Sequence, residues 1–360
     1  MRERRDHGQE GSLGEGVHGP AKYIVTGPRG SAVKPFVSIV VPLLNEEATI
    51  ERLARSLLDQ TYPHACYEIL MADGGSRDRT LALLREVDRE GRVRVLANPG
   101  RTAPAALNVL LSAAQGEIVT RVDGHSFVAE DYLERIVEVM EATGESVVGG
   151  PVQMEADTPF RRALVQALYA PVGVGSVPYR TLRARAHVES LQTGSFRREV
   201  LDRVGPFDES LAVVEDLDMN TRIRKAGYRL LLDPAIRFWY VPRGSLSSLW
   251  RQIFTVGRVK AWILHKHPDI FKLKYVLPSL LVLALGAASA FALFGHGFTR
   301  PLAAAFLALY AGTVAGFALS RLGSLGAGAL RLLAILPTLH LGYGLGFLRG
   351  LLDLPSRAGR

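Results

Sequence analysis

The chain has 360 residues, is 48% hydrophobic and carries a formal net charge of +8. That length suits one large domain, or one ordinary domain with a membrane module. No Lys/Arg block reads as a nucleic-acid arm, so the basic excess fits an anionic membrane surface and a phosphate-bearing substrate, with no nucleic acid among the expected partners.

Residues 1–35 carry Arg2, Arg4 and Arg5 but no apolar run of signal-peptide length, and are expected to be a disordered tail. Gly14 to Gly19 match a dinucleotide-binding pattern. No strand leads into it and no helical pattern follows, so the match is fortuitous. From Phe36 the texture changes. Residues 37–42 are a β-branched run closed by Pro42, the pattern of a buried parallel strand. Asn45, Glu46 and Glu47 open a helix in which Ile50, Leu53, Leu57 and Leu58 fall at helical spacing. The lone cysteine, Cys66, excludes an intrachain disulfide and a cysteine zinc site, and reads as a small buried residue in a reducing, cytoplasmic setting.

Residues 67–72 predict a second strand, ending at Asp73-Gly74-Gly75-Ser76, a turn able to cap a helix over 78–89. Residues 92–97 predict a third, followed by Pro99-Gly100 and a helix through Leu107, Leu110 and Leu111. Residues 117–122 predict a fourth, ending at Asp123-Gly124-His125. This alternation predicts an α/β fold with a mostly parallel sheet and right-handed crossovers. Ligands of such sheets bind at the carboxyl ends of the strands, where Asp73 and Asp123 stand.

Residues 146–153 predict another strand, and residues 160–187 a mobile acceptor-side segment. Glu215-Asp216-Leu217-Asp218 opens a helix that ends near Gly227, a glycine C-cap, with a strand at 228–232. Residues 246–267 predict an amphipathic helix with Trp250, Ile253, Phe254 and Trp262 beside Arg251, Arg258, Lys260 and Lys266, suited to a membrane interface. Apolar stretches at 276–295, 301–320 and 328–348 each approach the ~20 residues that cross a hydrocarbon core. Lys272 and Lys274 precede the first, and Arg321 and Arg331 bound the second, which puts the soluble domain in the cytoplasm by the positive-inside rule. If all three stretches span, Arg349, Arg357 and Arg360 fall on the far side. The third could therefore be re-entrant or interfacial, although Gly342, Gly346 and Gly350 form overlapping GxxxG steps suited to close helix packing. The expected organisation is a tail (1–35), an α/β domain (36–245), an interface helix region (246–275), a membrane domain (276–350) and a second tail (351–360).

Several residues carry candidate chemistry, each with a plainer alternative. Asp73 can accept hydrogen bonds from a base or ribose, or cap a helix. Asp123 and His125 offer an oxygen and an imidazole to Mn²⁺ or Mg²⁺, or simply form a turn. Glu215, Asp216 and Asp218 can serve as an acid–base cluster, or interact with the helix dipole. Arg258 can meet a diphosphate, or snorkel at the membrane.

In combination the motifs are specific. They are Val-Ser-Ile-Val-Val-Pro-Leu-Leu-Asn-Glu-Glu (37–47), Asp-Gly-Gly-Ser-Arg-Asp-Arg-Thr (73–80), Asn98-Pro99-Gly100 with Asn108, Arg-Val-Asp-Gly-His (121–125), Thr-Gly-Ser-Phe (193–196), Val-Gly-Pro-Phe-Asp-Glu (204–209), Glu-Asp-Leu-Asp (215–218) and Gln252 with Gly257-Arg258. Through them residues 36–265 resemble the family 2 inverting glycosyltransferases of GT-A fold. Within that family the chain is similar to the succinoglycan-type exopolysaccharide enzymes, which also carry Asp-x-His and a C-terminal membrane segment.

The resemblance implies a UDP-sugar donor, UDP-glucose favoured, and Mn²⁺ or Mg²⁺ as cofactor. It implies a lipid-linked saccharide as acceptor, the bilayer and other polysaccharide-assembly proteins as partners, and a multi-pass protein of the inner membrane. It places Pro42, Asn45 and Glu46 along the nucleotide, Asp73 on the uracil or ribose and Asn108 in the nucleotide-sugar site. Asp123 would hold the metal with His125, Asp216 would be the catalytic base, Glu215 would help place the acceptor, and Gln252 and Arg258 would meet the diphosphate. Two departures stand out. His125 replaces the usual second acid and could instead contact a phosphate. Val259 follows Arg258 where processive members have tryptophan, and no transmembrane helix precedes the domain, which implies a single-sugar transferase. The alternatives are a polyprenyl-phosphate sugar transferase and, from other classes, a nucleotide-binding oxidoreductase or a membrane scaffold.

Overall fold

The computed structural model describes residues 34–173 and 178–354. Residues 1–33 and 355–360 of the expected tails, with the Gly14–Gly19 pattern, Arg357 and Arg360, lie outside them.

Strands β1 (Val37–Leu43), β2 (Tyr67–Asp73), β3 (Val93–Ala97) and β4 (Ile118–Arg121) alternate with helices α1 (Ile50–Leu58), α2 (Thr80–Val87) and α3 (Ala103–Ala113). They form the parallel half of an eight-stranded sheet, in the order β3-β2-β1-β4. The runs of Val, Ile and Leu follow from burial on both faces. Ile39 and Val41 pack with Leu53 and Leu57 of α1 on one side, while Val40 packs with Leu107 and Leu110 of α3 on the other, as the two-residue strand period requires. Cys66 is buried in the first of these layers.

The edge after β4 turns antiparallel. Strand β5 (Ser126–Val128) leaves for a small second sheet and α4 (Tyr132–Thr143) follows. The expected strand at 146–153 is two strands in two sheets. β6 (Val147–Gly149) joins the large sheet and β7 (Val152–Met154) the small one, because Gly150-Pro151 breaks the ladder between them. Residues 160–187 also differ from expectation. They begin in a regular helix, α5 (Pro159–Tyr169), started by Thr158, whose side chain accepts from the Arg161 N–H, with Pro159 in the first turn. A short helix α6 (Pro178–Thr181) and strand β8 (Ala186–Val188) complete the segment.

β9 (Ser195–Arg197), α7 (Arg198–Val204), α8 (Glu215–Lys225), β10 (Leu230–Leu232) and β11 (Phe238–Tyr240) close the domain. The large sheet reads β3-β2-β1-β4-β9-β6-β10-β8 and the small one β5-β11-β7. Past α8, Gly227 takes a left-handed φ of 91°, as a glycine stop requires.

Helix α9 (Leu246–Lys266) leads to α10 (Leu277–Phe294), α11 (Thr299–Ser320), the short α12 (Leu322–Leu325) and α13 (Leu332–Leu352). Helices α10 and α11, and the stretch ending in α13, are long and apolar enough to cross a membrane. Helix α9 does not offer its apolar face to a surface alone, because α13 lies along it. The contacts run in parallel: Gly342 meets Ile253, Gly346 meets Phe254, and Gly350 meets Arg258 and Ala261. A Cβ on Gly346 would stand 2.1 Å from the Phe254 carbonyl oxygen, and one on Gly257 2.2 Å from that of Tyr343. The GxxxG steps are thus filled by the chain's own α9. The indole of Trp262 donates to the Gly350 carbonyl at 3.1 Å, locking the far end.

Candidate active site

A cavity of about 1130 Å³ opens where the carboxyl ends of β1 and β4 meet the start of α8, the α5–α6 segment and α9. Its walls include Pro42 and Glu46 after β1, Asp123 and His125 after β4, and Glu215 and Asp216 at the start of α8. Tyr179, Arg180 and Tyr240 also line it, as do Gln252 and Lys260 of α9 and Leu339, His340 and Tyr343 of α13.

Arg121 organises the centre. Its Nε donates to Asp123 Oδ1 at 2.8 Å and its Nη2 to Glu215 Oε1 at 2.6 Å, all three side chains being at most 9% exposed. Burial alone would lower the guanidinium pKa. Asp123, then Glu215 and Asp216, outweigh that and raise it, so the cation is fixed. Asp123 and Glu215 are therefore partly neutralised from behind.

Asp216 forms no ion pair among the described residues. Burial first, and the adjacent Glu215 carboxylate second, push its pKa up to about 6, against the pull of Arg121 and Lys260. Val214, just before the helix, holds a left-handed φ of 64°, costly for a β-branched residue. That turn aims the first residues of α8 into the cavity, and their negative charge suits the helix N-terminus.

On the opposite wall Glu46 Oε1 meets His125 Nδ1 at 3.2 Å, and the imidazole sits edge-on to Tyr240 with ring centroids 4.9 Å apart. Asp123 Oδ2 and His125 Nε2 make no hydrogen bond among the described residues. No group of three His, Cys, Asp or Glu side chains able to hold a metal is found among those residues. Two protein donors suit a hard cation only when phosphate oxygens of a ligand complete its shell.

The structure brings Pro42, Glu46, Asp123, His125, Glu215, Asp216 and Gln252 to one cavity. The remaining four expected residues do not line it. Asn45 has a φ of 56°, gives its N–H to Ser76 Oγ and accepts from the Arg77 N–H. Asp73 does not cap α2. Its carboxylate accepts from the N–H of Gly75 and Ser76 and from the Ser76 hydroxyl, closing a turn at the end of β2. Asn108 exchanges two hydrogen bonds with the Phe207 backbone, tying α3 to the loop after α7. Arg258 pairs with Asp353 at 2.6 Å and lies over the Trp262 ring. At 100° per residue, six residues from Gln252 turn Arg258 about 120° away around the helix, whereas Lys260 lies only about 80° away. Lys260, Arg121, Tyr179 and Arg180, to which the sequence motifs assign no site role, also line the cavity. The signal for Arg121 was a cation at the end of an otherwise apolar strand.

Residues 38–205 match the family described as Glycosyl transferase family 2. The succinoglycan biosynthesis protein ExoA of Rhizobium meliloti is 34% identical over 253 residues, 69% of this chain and 76% of that protein. A beta-monoglucosyldiacylglycerol synthase of Trichormus variabilis is 30% identical over 226 residues, 61% of this chain and 47% of the synthase. Among solved structures, the mannosyltransferase PcManGT from Pyrobaculum calidifontis, in complex with GDP-Man and Mn²⁺, has a TM-score of 0.59 at 22% identity, over 89% of this chain and 88% of that one. That likeness is one of fold, and the fold is of GT-A type. With a carboxylate-bearing cavity at the carboxyl ends of a parallel sheet, these similarities make the chain a transferase that belongs to glycosyltransferase family 2.

Proposed function

We propose that the enzyme moves a hexose from a UDP-sugar, UDP-glucose the favoured donor, to a hydroxyl of a lipid-linked saccharide in exopolysaccharide or other bacterial cell-surface polysaccharide synthesis. It works from the inner membrane with its α/β domain on the cytoplasmic face. The relative named for succinoglycan biosynthesis supports this product class, and the apolar helices beside the cavity support a lipid-borne acceptor.

The observation that carries the mechanism is the state of Asp216. Of the carboxylates at the cavity centre, Asp123 and Glu215 are held by Arg121, and Asp216 has no ion pair among the described residues. A carboxylate raised towards neutrality and open to a ligand is suited to take a proton. Asp216 receives the acceptor hydroxyl proton as that oxygen bonds to the anomeric carbon. The bond to the diphosphate breaks on the opposite face, and the configuration inverts. Pro42, Glu46 and Gln252 line the donor's path. Mn²⁺ or Mg²⁺ would be held by Asp123, His125 and the donor's phosphates, and supplies neutralisation of diphosphate charge.

A screen of UDP-sugars with the purified enzyme, reading hydrolysis of each, tests the donor. A thermal shift by UDP that grows with Mn²⁺ is expected. A protein that no nucleoside diphosphate stabilises, with or without metal, would overturn the reading. Offering labelled UDP-sugar with polyprenyl phosphate, or with a lipid-linked saccharide, separates the hydroxyl acceptor from the phosphate acceptor.

A further inference from the structure

Gly124 stands between Asp123 and His125, and the structure uses its missing side chain. A Cβ there would lie 2.9 Å from Glu46 Cγ and 3.1 Å from the Pro42 carbonyl oxygen, so a larger residue would crowd Glu46 off the turn. With glycine in place, Glu46 Oε1 reaches His125 Nδ1 at 3.2 Å, and both side chains are largely buried. The glutamate is itself held. Its N–H donates to Thr80 Oγ1 at 2.7 Å, and the Thr49 hydroxyl stands 3.3 Å from its Oε2 and 2.9 Å from the Gly124 carbonyl oxygen.

The imidazole has a second brace. The Tyr240 ring meets it edge-on with centroids 4.9 Å apart, the Tyr240 hydroxyl accepts from Gln252 Nε2 of α9 at 3.2 Å, and the Val241 N–H donates to the His125 carbonyl oxygen. A carboxylate only accepts, so the proton between Glu46 and His125 sits on Nδ1. The lone pair of the neutral ring is then on Nε2. Like Asp123 Oδ2, that nitrogen makes no hydrogen bond among the described residues. An imidazole tied to a carboxylate through one nitrogen is the usual state of a metal-bound histidine, because the partner fixes the ring and makes the other nitrogen more basic.

We propose that Glu46 is a positioning residue for His125: it holds the imidazole with Nε2 as the nitrogen donor to the divalent cation, and acts on the nucleotide only through that metal. This rests on the transferase reading above, and gives Glu46 a different part from the nucleotide contact that the family resemblance implies.

The test uses the full chain in nanodiscs, free of any histidine tag, with Mn²⁺ and UDP as probes. The electron spin echo of bound Mn²⁺ is modulated by a directly bonded nitrogen. That modulation is expected in the wild type and should be absent from His125→Asn. Glu46→Ala should weaken Mn²⁺ binding in the presence of UDP about 10- to 100-fold and lose most of the nitrogen modulation. Its UDP affinity in EDTA should stay at the wild-type value, a split that general damage to the fold would not produce. The wild-type echo needs no variant, which keeps the test open if Glu46→Ala misfolds. Bound Mn²⁺ without nitrogen modulation in the wild type would overturn the proposal. So would a Glu46→Ala protein that keeps its Mn²⁺ affinity, or one that folds yet loses metal-free UDP binding, since Glu46 would then touch the nucleotide itself. A wild type that shows the nitrogen modulation but binds no nucleoside diphosphate would leave the positioning role standing and sink the transferase reading instead.

Discussion

Asp216 and Lys260 are opposite charges that burial shifts towards each other in pH. Asp216 must be ionised to accept a proton, and its pKa is raised to about 6 by burial, then Glu215, against Arg121 and Lys260. Turnover should therefore rise with pH through about 6 and level off above it. Lys260 is cationic only below its lowered value of about 8, where burial and Lys274 oppose Asp216. Above that pH the cavity wall loses a positive charge beside Asp216, and turnover should fall again. Initial rates at saturating donor between pH 5 and 9 read both limbs, and a flat profile would remove Asp216 as the base. Asp216→Asn, nearly isosteric, should lower turnover roughly 10²- to 10⁴-fold while leaving UDP affinity intact. At this scale the sequence was legible where a motif sits on a strand end or a helix start, as at Asp123 and Asp216. The hydrogen bonds that Asp73 makes within its own turn and that Asn108 makes to the distant Phe207 backbone were not legible, because bonds to backbone N–H and C=O leave no mark in residue type.

Helices α9 and α13 owe their contact to missing side chains. Gly346 and Gly350 of α13 and Gly257 of α9 let the two backbones approach to van der Waals distance, and the atoms facing them are carbonyl oxygens, which cannot step aside. Gly346→Ala should part the helices and cost roughly 1–3 kcal/mol or more, read as a lower midpoint of thermal unfolding in detergent. Because α9 brings Gln252 and Lys260 to the cavity wall, turnover should fall with it. Arg258 gives the contrast. Its pair with Asp353 is 41% exposed on the arginine side, so Arg258→Ala should cost no more than about 1 kcal/mol and leave UDP affinity unchanged. A large rise in donor KM in that variant would return Arg258 to the diphosphate. The strand–helix alternation of 37–122 was readable because each run is buried on both faces. The β6–β7 split and α5 were not, because short strands share their pattern with loops and Thr158-Pro159 is a weak start signal amid arginines and glycines.

The route of the chain through the membrane follows from what α13 touches. Near its start, Leu332 and Leu336 pack with Leu164 of α5 and Leu249 of α9. At its middle, His340 Nε2 reaches the Val172 carbonyl oxygen at 2.6 Å. Just past its end, Asp353 meets Arg258. Both ends and the centre therefore lie against the α/β domain and α9. A spanning α13 would carry α9 into the hydrocarbon with Arg251, Arg258, Lys260 and Lys266, at about 2.5–3.5 kcal/mol for each charge near the centre. Helices α10 and α11 pack on α13, through Ser279 on the Gly344 carbonyl, Tyr310 on His340, and Val314 and Ala318 in the same apolar cluster, and expose Leu283, Phe294, Leu302 and Leu309 on their other faces. The expected arrangement is a two-helix hairpin of α10 and α11, with α13 lying in the interface beside α9. Arg349 then returns to the side of Lys272 and Lys274, which removes the conflict that three spans create with the positive-inside rule. Single cysteines in a Cys66→Ser background test this with an impermeant thiol reagent. His296→Cys, between α10 and α11, should label from the face opposite the α/β domain, while Ser324→Cys and Leu352→Cys should both label from the domain's own face. Labelling of Leu352→Cys together with His296→Cys would show that α13 crosses, and the charges of α9 would then have to be met by water or lipid headgroups drawn into the bilayer.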